Sequence, residues 1–351
     1  MQIVYVSDLN PDGIGYQRKR ALEDLGHDVT AYSMVQAGVT YYDKPSLLER
    51  AFWKTGFPLD STKVNRSILS SIEQKRPDIV FIDKGNTVWP RTLRVAKELS
   101  PTTQIVSYLP DDMFASHHRS SFFRRGIRYY DYIFTSNSHN WRANELPSLG
   151  AKRVLFVHFA YDPHLHRPVP VSHDDAEAFG ANVGFIGSYE RERADSMLFL
   201  AENGVPVRVW GGGGWHKLLR CHPNLVIENR PLYEDDYARA ICATRINLGF
   251  LRKQNRDLQT SRTFEIPACG AFMLAERTDE HLRLFDEGKE AVYFGSEGEL
   301  LDKVRYYLDH EDERKAIASA GRKRCLDSGY SHHDRLKYML RRVTETNDAS
   351  R

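Results

Sequence analysis

Short apolar runs alternate with helix-like segments along most of the 351 residues of this chain. The first run, residues 3–6, is β-branched and aromatic; it stops at a turn-rich stretch, and the helix-like segment that follows ends at Gly26. Strands that are apolar throughout are typical of parallel sheets with helices on both faces. The alternation therefore predicts doubly wound parallel sheets, in which ligands bind beyond the carboxyl ends of the strands.

The alternation breaks once, over residues 162–180, where prolines and histidines precede an acidic stretch. A second series of strands and helices begins after it. A chain of this length suits two domains of ~100–200 residues each. We expect an α/β domain over residues 1–168, a second over 169–335, and a helix or tail over 336–351 that could cross back to the first domain. The cleft between the two domains is the expected ligand site.

Charge and cysteine content argue against several classes of protein. The 49 Lys and Arg side chains nearly balance the 47 Asp and Glu side chains, which is too even for a protein that coats nucleic acid. The four cysteines show no C-x-x-C spacing, so neither a disulfide framework nor a zinc site is indicated. Since no basic leader or long apolar stretch is evident, we expect a cytoplasmic protein that could contact the inner face of the membrane.

Residues 260–271 are the most informative segment. Ser261 can cap a short helix that Gly270 can end, and Arg262 and Glu265 lie three residues apart, hence on one helix face. A helix N-terminus that carries an arginine is suited to an anion. A glutamate beside it is costly unless it accepts hydrogen bonds, which sugar hydroxyls would supply. The alternative is a surface ion pair between Arg262 and Glu265.

Further segments extend this pattern to both halves of the chain. They lie at residues 22–29, 77–80, 149–154, 265–270, 285–294 and 301–308. As a set, these segments resemble GT-B glycosyltransferases, in particular the family-4-like group that includes the CgeB-type proteins. The resemblance covers nearly the whole chain and is strongest over residues 240–340. It implies two Rossmann-like domains that face a cleft, and a retaining transfer of a sugar from a nucleotide-diphosphate sugar to a glycan, lipid-linked or protein hydroxyl.

The resemblance implies a donor site in the second domain. The second glutamate of the family's Glu-x7-Glu element matches Glu265, which would hold the ribose hydroxyls. Asp257 stands where the first glutamate is expected, and it could either touch the donor sugar or be a solvated loop charge. The loop after Gly187 would offer Arg191 or Arg193 to the pyrophosphate; a solvated helix start is the alternative for these two arginines.

Three more loops are candidates for donor binding. Gly13 and Gly15 stand where the family has a glycine loop under the pyrophosphate, and glycines let a backbone approach phosphate closely. Gly212 lies in a run of four glycines, and Lys253 lies in the basic loop 252–256. An ordinary turn, a flexible loop or a solvated basic loop remains the alternative in each case.

On the acceptor side the chain departs from the family. Many members have a histidine at the end of the fourth strand, where this sequence has Asp111 and Asp112. A carboxylate could orient the acceptor hydroxyl or accept its proton. His117 or His118 could also serve, with ordinary loop histidines as the alternative, and Lys84 is another candidate. The predicted catalytic residues are therefore Asp111, Asp112, Arg262 and Asp257.

Two histidine groups, at residues 164–166 and 332–334, contain metal-ligand residue types but no third partner at a known spacing. Because GT-B enzymes resemble one another in not needing a bound divalent ion, we predict no essential metal and no cofactor.

Residues 117–130 are basic and aromatic, and they could contact anionic lipid or a lipid-linked acceptor. The alternative is a helix packed by Phe122, Phe123 and Ile127 with solvated arginines. Residues 1–170 carry 22 basic and 17 acidic side chains, whereas residues 171–351 carry 27 and 30. This asymmetry favours an anionic or membrane-associated acceptor for the first domain.

Three other functions remain open at this stage. A nucleotide-sugar epimerase has the same fold and would release free sugar without an acceptor. A non-catalytic glycan-binding or spore-coat type protein is conceivable because of Asp257 and the missing histidine. A dinucleotide dehydrogenase is disfavoured, since the glycine pair at 13 and 15 lacks the third glycine of that fingerprint.

Overall fold

The computed structural model describes residues 1–39 and 43–348, which divide into two compact units. Unit 1 comprises residues 1–158, the short segment Gln254–Asp257 and the C-terminal segment from His332. Unit 2 comprises Phe159–Lys253 and Leu258–Ser331. We expected the first boundary at 168/169; in the structure unit 1 ends its first stretch at His158 and unit 2 begins at Phe159.

Unit 1 is built on a six-stranded parallel sheet in the order β2-β1-β3-β4-β5-β6. Its strands are β1 (Gln2–Ser7), β2 (Asp28–Ser33), β3 (Ile79–Asp83), β4 (Gln104–Leu109), β5 (Tyr132–Thr135) and β6 (Val154–Phe156). The first helices of the chain are α1 (Ile14–Asp24), α2 (Leu47–Lys54), α3 (Val64–Lys75), α4 (Pro90–Leu99) and α5 (Ser121–Gly126). Short 3-10 helices occur at Ser116–His118, Ile127–Tyr129 and Leu146–Leu149.

Unit 2 contains a second six-stranded parallel sheet, in the order β12-β11-β10-β7-β8-β9. Its strands are β7 (Ala181–Ile186), β8 (Val207–Trp210), β9 (Leu225–Ile227), β10 (Thr244–Gly249), β11 (Met273–Glu276) and β12 (Val292–Phe294). The helices are α6 (His173–Phe179), α7 (Arg191–Glu202), α8 (Glu234–Ala243), α9 (Arg262–Ala268), α10 (Asp279–Leu284), α11 (Glu297–Asp309) and α12 (Glu311–Asp327). Trp215–Leu218 and Lys253–Asn255 are short 3-10 helices, and the last helix, α13 (His332–Asp348), belongs to unit 1.

The two-residue period of a strand explains how each sheet buries both faces. In unit 1, Val4 and Val80 pack on one face with side chains of α3 and α4. Tyr5 and Phe81 point to the other face, against residues of α1 and α13. Both sheets are parallel and covered by helices, as the apolar strands predicted. The predicted fold class of two doubly wound α/β sheets is therefore confirmed.

The order of strands in unit 2 reverses between β7 and β10. The chain winds outward from β7 through β8 to β9, then returns to β10 and winds the other way. At such a reversal the loops after the two central strands diverge, which leaves a crevice beyond their carboxyl ends. In parallel α/β sheets, ligands bind in such a crevice.

Some local elements differ from the expectations. The acidic stretch within residues 162–180, where the alternation breaks, forms α6, because Ser172 and Asp175 make a reciprocal capping box at its start. Residues 297–327 form two helices, α11 and α12, which meet at His310. The side chain of Ser261 makes no capping hydrogen bond to α9. No helix in the described parts of the chain is long and apolar enough to cross a lipid bilayer.

A buried ion pair anchors the centre of unit 1. Asp83, at the end of β3, accepts hydrogen bonds from Arg18 Nη2 on α1 (2.6 Å) and from the hydroxyls of Tyr5 and Ser7, each at 2.6 Å. Both members of the pair are buried. Removing one partner from such a pair leaves the other charge buried and uncompensated.

We predict that Arg18→Met lowers the free energy of unfolding of unit 1 by about 3–5 kcal/mol, because Asp83 then stays buried without its counter-ion. Urea unfolding followed by circular dichroism measures the loss. Arg94→Met is the control, since Arg94 pairs with Glu98 on the solvent-exposed surface of α4 and should cost ~0–1 kcal/mol. Equal losses in the two variants would contradict this account.

A buried histidine links α9 to the start of α10 in unit 2. His281 Nδ1 donates to the carbonyl oxygen of Glu276 (2.6 Å), so its Nε2 accepts from the hydroxyl of Thr263 (2.9 Å). Burial lowers the pKa of His281 to about 4, against the opposing effect of the Glu276 carbonyl. The imidazole is therefore neutral in the folded protein.

We predict that unit 2 loses stability as pH falls from about 6.5 to about 4. In this window the unfolded chain protonates His281 and the folded chain does not, which costs up to about 3 kcal/mol. Unfolding free energies measured across this range should show a shallower pH slope for His281→Gln than for the wild type. The exposed His216 provides the matched control His216→Gln, whose slope should equal that of the wild type; an unchanged slope in His281→Gln would refute the assignment.

Candidate functional site

The crevice of unit 2 is lined by the ends of its two central strands and by the helices that follow them. β7 runs into Gly187 and then into α7, which begins at Arg191. β10 runs into the loop 250–253, and α9 follows with Arg262 at its first turn. The parallel strands thus bring Gly187, Arg193, Lys253 and Arg262 to one edge of the sheet.

Two arginines form the centre of this edge. The guanidinium groups of Arg193 and Arg262 lie 5.7 and 5.6 Å from the centroid of the Phe185 ring. Arg262 Nε donates to the carbonyl oxygen of Ile186. The two like charges are therefore held next to the same aromatic ring, by separate elements of the sheet edge.

Arg193 is buried without full hydrogen bonding. It is 2% exposed, and its Nη1 donates to the carbonyl oxygen of Ser188 (3.1 Å). Its Nη2 lies 3.6 Å from Glu190 Oε1, beyond hydrogen-bond distance. Within the described part of the chain, Nε and Nη2 have no hydrogen-bond partner. Buried donors of a charged group are costly when unpaired, so the geometry suits an anionic ligand.

The charges around Arg193 also favour an anionic ligand. Burial, together with the positive charges of Arg262 and Arg252, lowers the pKa of Arg193 to about 10, against the opposing effects of Glu190 and Glu276. An anion beside Arg193 would reduce its repulsion from Arg262 and Arg252 and would also satisfy its unpaired donors.

The loop after β10 adds two more cations. Arg252 Nε lies 3.4 Å from Glu190 Oε1, and Lys253 forms an ion pair with Glu276. Glu276 also accepts a hydrogen bond from the backbone N–H of Leu251 (3.0 Å). A cavity of about 270 Å³ opens here, with Arg193, Lys253 and Glu276 among its lining residues. The carboxylates thus fix the loop that presents Lys253.

Glycines allow the two loops at this edge to touch. A Cβ atom on Gly211 would lie 1.9 Å from the carbonyl oxygen of Gly187, and one on Gly187 would lie 2.8 Å from Arg262 Nη2. The Gly187 carbonyl accepts a hydrogen bond from Trp215 Nε1 (2.8 Å). The carbonyl of Gly212 accepts from the N–H of Tyr189 (3.3 Å). The glycine run is therefore packed against β7 and forms a fixed floor.

Glu265 is buried on α9 and is held by two neighbours. Its Oε2 accepts a hydrogen bond from the Tyr237 hydroxyl on α8 (2.5 Å), and its Oε1 lies 3.8 Å from His166 Nε2. Burial and this carboxylate raise the pKa of Tyr237 well above its usual value. Since Arg262 donates to Ile186 instead, the alternative of a surface Arg262–Glu265 pair does not describe the structure. A buried carboxylate with hydrogen-bonding neighbours remains at the predicted position.

In unit 1, Asp111 is surrounded by donors. Its carboxylate lies 2.5 Å from Lys84 Nζ, 3.6 Å from His118 Nε2 and 3.5 Å from Asn255 Nδ2. Lys84 has a positive φ of 59°, a strained conformation for a residue other than glycine that tends to occur at functional sites. Lys84 and His118, both named as alternatives, thus belong to the same group as Asp111.

Asp112 has a different environment. It is 1% exposed and accepts two hydrogen bonds from Arg256, at 2.6 and 2.9 Å, and one from Asn140 Nδ2 (3.0 Å). Burial raises the pKa of Asp112, but these hydrogen bonds and one from the N–H of Phe114 outweigh that effect and hold it below its usual value. Arg256 also binds Glu145. The Asp112 carboxylate is therefore committed to holding the loop, whereas Asp111 is partly open.

The other predicted residues have varied environments, and of these Asp257 adjoins the Asp111 group through Asn255. Asp257 is buried in unit 1 and accepts a hydrogen bond from Asn255 Nδ2 (2.6 Å), so it is not a solvated loop charge. Arg191 is exposed, 3.7 Å from Asp195. Gly13 precedes α1 without a side-chain cap, and a Cβ on Gly15 would lie 2.1 Å from the Asp8 carbonyl oxygen. Gly15 thus lets α1 start close to β1.

The remaining histidine and aromatic groups make contacts within their own units. His166 Nδ1 accepts from the N–H of Asp162 (2.8 Å), and His333 Nε2 lies 2.9 Å from Asp24. Phe123 and Ile127 are buried in unit 1, while the arginines at 124, 125 and 128 are exposed. The apolar side chains of this segment therefore pack in unit 1, and its arginines face solvent.

Tyr237 and Glu276 are site residues that the sequence analysis missed. Tyr237 follows the acidic start of α8, and Glu276 ends a strand on the same edge as Gly187. The position of Glu276 at a strand end was a usable signal. The contact between Tyr237 and Glu265 spans two helices, and no local pattern marks it.

Comparisons with known proteins bear on both units. No curated protein matches the chain by sequence. Residues 191–341 match a family model described as "Glycosyl transferase-like". This segment includes Arg193, Lys253, Arg262 and Glu265.

Solved structures match over nearly the full length. Sucrose-phosphate synthase from Thermosynechococcus elongatus aligns with a TM-score of 0.67 at 11% identity, over 99% of this chain and 100% of that chain. HepE of Anabaena, in complex with UDP and glucose, aligns with a TM-score of 0.65 at 12% identity, over 98% of this chain and 100% of that chain. An alpha-glucosyltransferase in complex with UDP and a 13-mer DNA containing an HMU base aligns with a TM-score of 0.64 at 15% identity, over 98% of this chain and 99% of that chain. The chain therefore has the GT-B fold of glycosyltransferases, and its residues 191–341 match a glycosyl transferase-like family model.

Proposed function

We propose that the chain is a retaining, metal-independent glycosyltransferase that moves a sugar from a nucleotide-diphosphate sugar to a hydroxyl of a glycan, lipid-linked or protein acceptor. The observation that carries the proposal is Arg193, a buried guanidinium with two unpaired nitrogens beside a second arginine. The donor's diphosphate has the charge and the acceptor oxygens that this group lacks. UDP-sugars are the first donors to test, because HepE and the alpha-glucosyltransferase were solved with UDP.

In this mechanism the protein acts mainly through electrostatics. Negative charge grows on the departing diphosphate as the bond to the anomeric carbon breaks. Arg193, Arg262 and Lys253 are placed to stabilise that charge, and Glu265 would hold the ribose hydroxyls. We propose that these cations take the place of a divalent ion. Retention of configuration is proposed on the resemblance to family-4-like transferases.

The acceptor is proposed to bind unit 1 at Asp111. This carboxylate can orient an acceptor hydroxyl or accept its proton, while Lys84 and His118 hold it in place. Asp112 and Arg256 would act as positioning residues, because their hydrogen bonds fix the segment that carries Asp111. Asp257 would support the same segment through Asn255.

A nucleotide-sugar epimerase and a non-catalytic glycan-binding protein are the competing functions. An epimerase would bind the same diphosphate and release free sugar without an acceptor. A binding protein would show neither hydrolysis nor transfer. The match of residues 191–341 to a glycosyl transferase-like model favours transfer over both.

We predict that Arg193→Met abolishes the thermal shift produced by the correct nucleotide sugar. Without ligand the same variant should be as stable as the wild type or up to about 1–4 kcal/mol more stable, because an apolar side chain replaces an unpaired buried charge. A screen of UDP-, GDP-, dTDP- and ADP-sugars by thermal shift and hydrolysis, with and without EDTA, makes the measurement. EDTA should leave the shift and the hydrolysis unchanged.

Arg191→Met is the matched control for this experiment. Arg191 lies two residues away on the same helix but is exposed and paired with Asp195, so its loss should leave the shift intact. Equal effects of the two substitutions would count against a diphosphate site at Arg193. If no nucleotide sugar stabilises the wild type, the transferase proposal fails.

We predict that Asp111→Asn keeps the donor-induced thermal shift and lowers the rate of sugar transfer by 10²-fold or more, since it removes an acid–base group. Transfer to a panel of glycan and lipid-linked acceptors is followed by mass spectrometry, and NMR of the product reads the anomeric configuration. Lys97→Met is the control, because Lys97 forms a comparable ion pair with Asp131 elsewhere in unit 1. Loss of donor binding in Asp111→Asn would overturn the assignment of the acceptor to unit 1.

A further inference from the structure

Helix α2 presents its large apolar side chains to solvent. Leu47 and Leu48 are 80% and 61% exposed, and Phe52 and Trp53 are 40% and 38% exposed. None of its eight residues is buried against the part of the chain that the structure describes. Isolated exposed leucines are ordinary, but four large apolar residues on one short helix are not.

This apolar surface continues onto the neighbouring elements. Trp53 Nε1 donates to the carbonyl oxygen of His117 (3.2 Å), which fixes α2 beside the start of α5. Phe122 packs 5.2 Å from Phe57, and Trp89, which is 42% exposed, lies 6.5 Å from Phe122. We call the exposed residues of this region the α2 surface: Leu47, Leu48, Phe52, Trp53 and Trp89.

Positive charge surrounds the α2 surface. Six exposed cations lie on α2, next to it in the chain, or in the segment 117–125 that contacts it through the Trp53–His117 hydrogen bond: Lys44, Arg50, Lys54, Arg119, Arg124 and Arg125. Asp43 and Glu49 are acidic residues of the same described segment, and the Glu49 carboxylate accepts hydrogen bonds from Ser46 at the start of α2. Arg125 also lies over the Phe57 ring, at 5.2 Å. Apolar side chains bordered by cations are complementary to a layer of apolar chains beneath anionic headgroups.

We propose that the α2 surface binds the face of a lipid bilayer that contains anionic lipids. Leucine and tryptophan side chains would enter the boundary between headgroups and acyl chains, while the lysines and arginines meet the phosphates. Each basic residue near an anionic surface raises the binding constant about fivefold. The site lies in unit 1 and uses none of the residues proposed for donor or acceptor chemistry.

A second copy of this chain fits the surface less well. In a two-fold symmetric dimer each patch meets its own copy, so the cations around one α2 surface would face the same cations of the other. Like charges brought together at an interface oppose association. An anionic bilayer instead neutralises all of them at once.

The test is co-sedimentation of the full chain with vesicles. The wild type should bind vesicles of phosphatidylcholine with phosphatidylglycerol at least tenfold more tightly than vesicles of phosphatidylcholine alone, and added salt should weaken this binding. Leu47→Ser with Leu48→Ser should remove most of it. Leu326→Ser is the control, because Leu326 is also half exposed, at 51%, but lies on α12.

A charge variant separates the electrostatic contribution. Arg50→Glu with Lys54→Glu should lower binding to the anionic vesicles by at least tenfold, whereas the exposed Lys323→Glu on α12 should have no effect. Equal binding to both kinds of vesicle, or no binding at all, would overturn the proposal. A wild-type dimer that the leucine variants convert to monomer would also overturn it and would identify a second copy as the partner.

The outcome is independent of the transferase proposal. The nucleotide-sugar thermal shift of each surface variant is measured in parallel, and it should equal that of the wild type. A variant that loses vesicle binding but retains its melting temperature and its far-UV circular dichroism has lost the surface and not the fold. If the wild type binds vesicles but no nucleotide sugar, only the proposed function fails.

Discussion

The juxtaposition of two arginines at the strand reversal of unit 2 is the constraint on which its proposed chemistry depends. Arg193 and Arg262 come from different helices, yet both lie against the ring of Phe185. Burial of Arg193 removes the water that would screen the repulsion between them. The arrangement persists only because the parallel strands, the packed glycine run and the indole of Trp215 fix the backbone on which both side chains stand.

Two other buried charges, Asp83 and Asp112, have more hydrogen-bond partners than Arg193 has. Asp83 is met by Arg18 and two hydroxyls, and Asp112 is met by two donors of Arg256 and by Asn140. In these pairs several hydrogen bonds from charged and polar partners offset part of what burial costs. Arg193 donates one hydrogen bond, to the Ser188 carbonyl oxygen, and lies 3.6 Å from Glu190. Strain of this kind is retained where a ligand relieves it, so the unpaired nitrogens point to the same class of ligand as the positive cluster does.

The sequence predicted the fold well because the evidence for it is local and repeated. Most strands are short, largely apolar runs followed by turns at their carboxyl ends, so the sheet edge that carries Gly187, Lys253 and Arg262 follows from topology alone. The choice between Arg191 and Arg193 could not be made in this way. It depends on which face of α7 lies against Phe185. The helix starts with alternating Arg and Glu residues, so it has no apolar stripe from which that face could be predicted.

Contacts between segments that are distant in the sequence could not be predicted, because no local pattern marks them. The segment Gln254–Asp257 leaves unit 2 and packs with unit 1, where Asn255 and Arg256 bind the Asp111–Asp112 turn. Nothing in a short basic loop distinguishes this from a solvated one. Helix α2 was missed because none of its residues is buried against the described chain, and a pattern of burial carries no information about residues that are not buried.

The charge distribution can now be interpreted at the level of single side chains. Unit 2, residues 159–253 and 258–331, carries 22 basic and 27 acidic side chains, so the field of unit 2 as a whole does not attract an anionic donor. At physiological ionic strength, exposed charges more than about 8 Å away are largely screened. A diphosphate in the crevice would therefore respond to Arg193, Arg262 and Lys253 and hardly to the remaining surface. The affinity of this unit for an anion is thus set by burial and geometry at one strand reversal, and a change of net charge elsewhere on it would leave that affinity nearly unaltered.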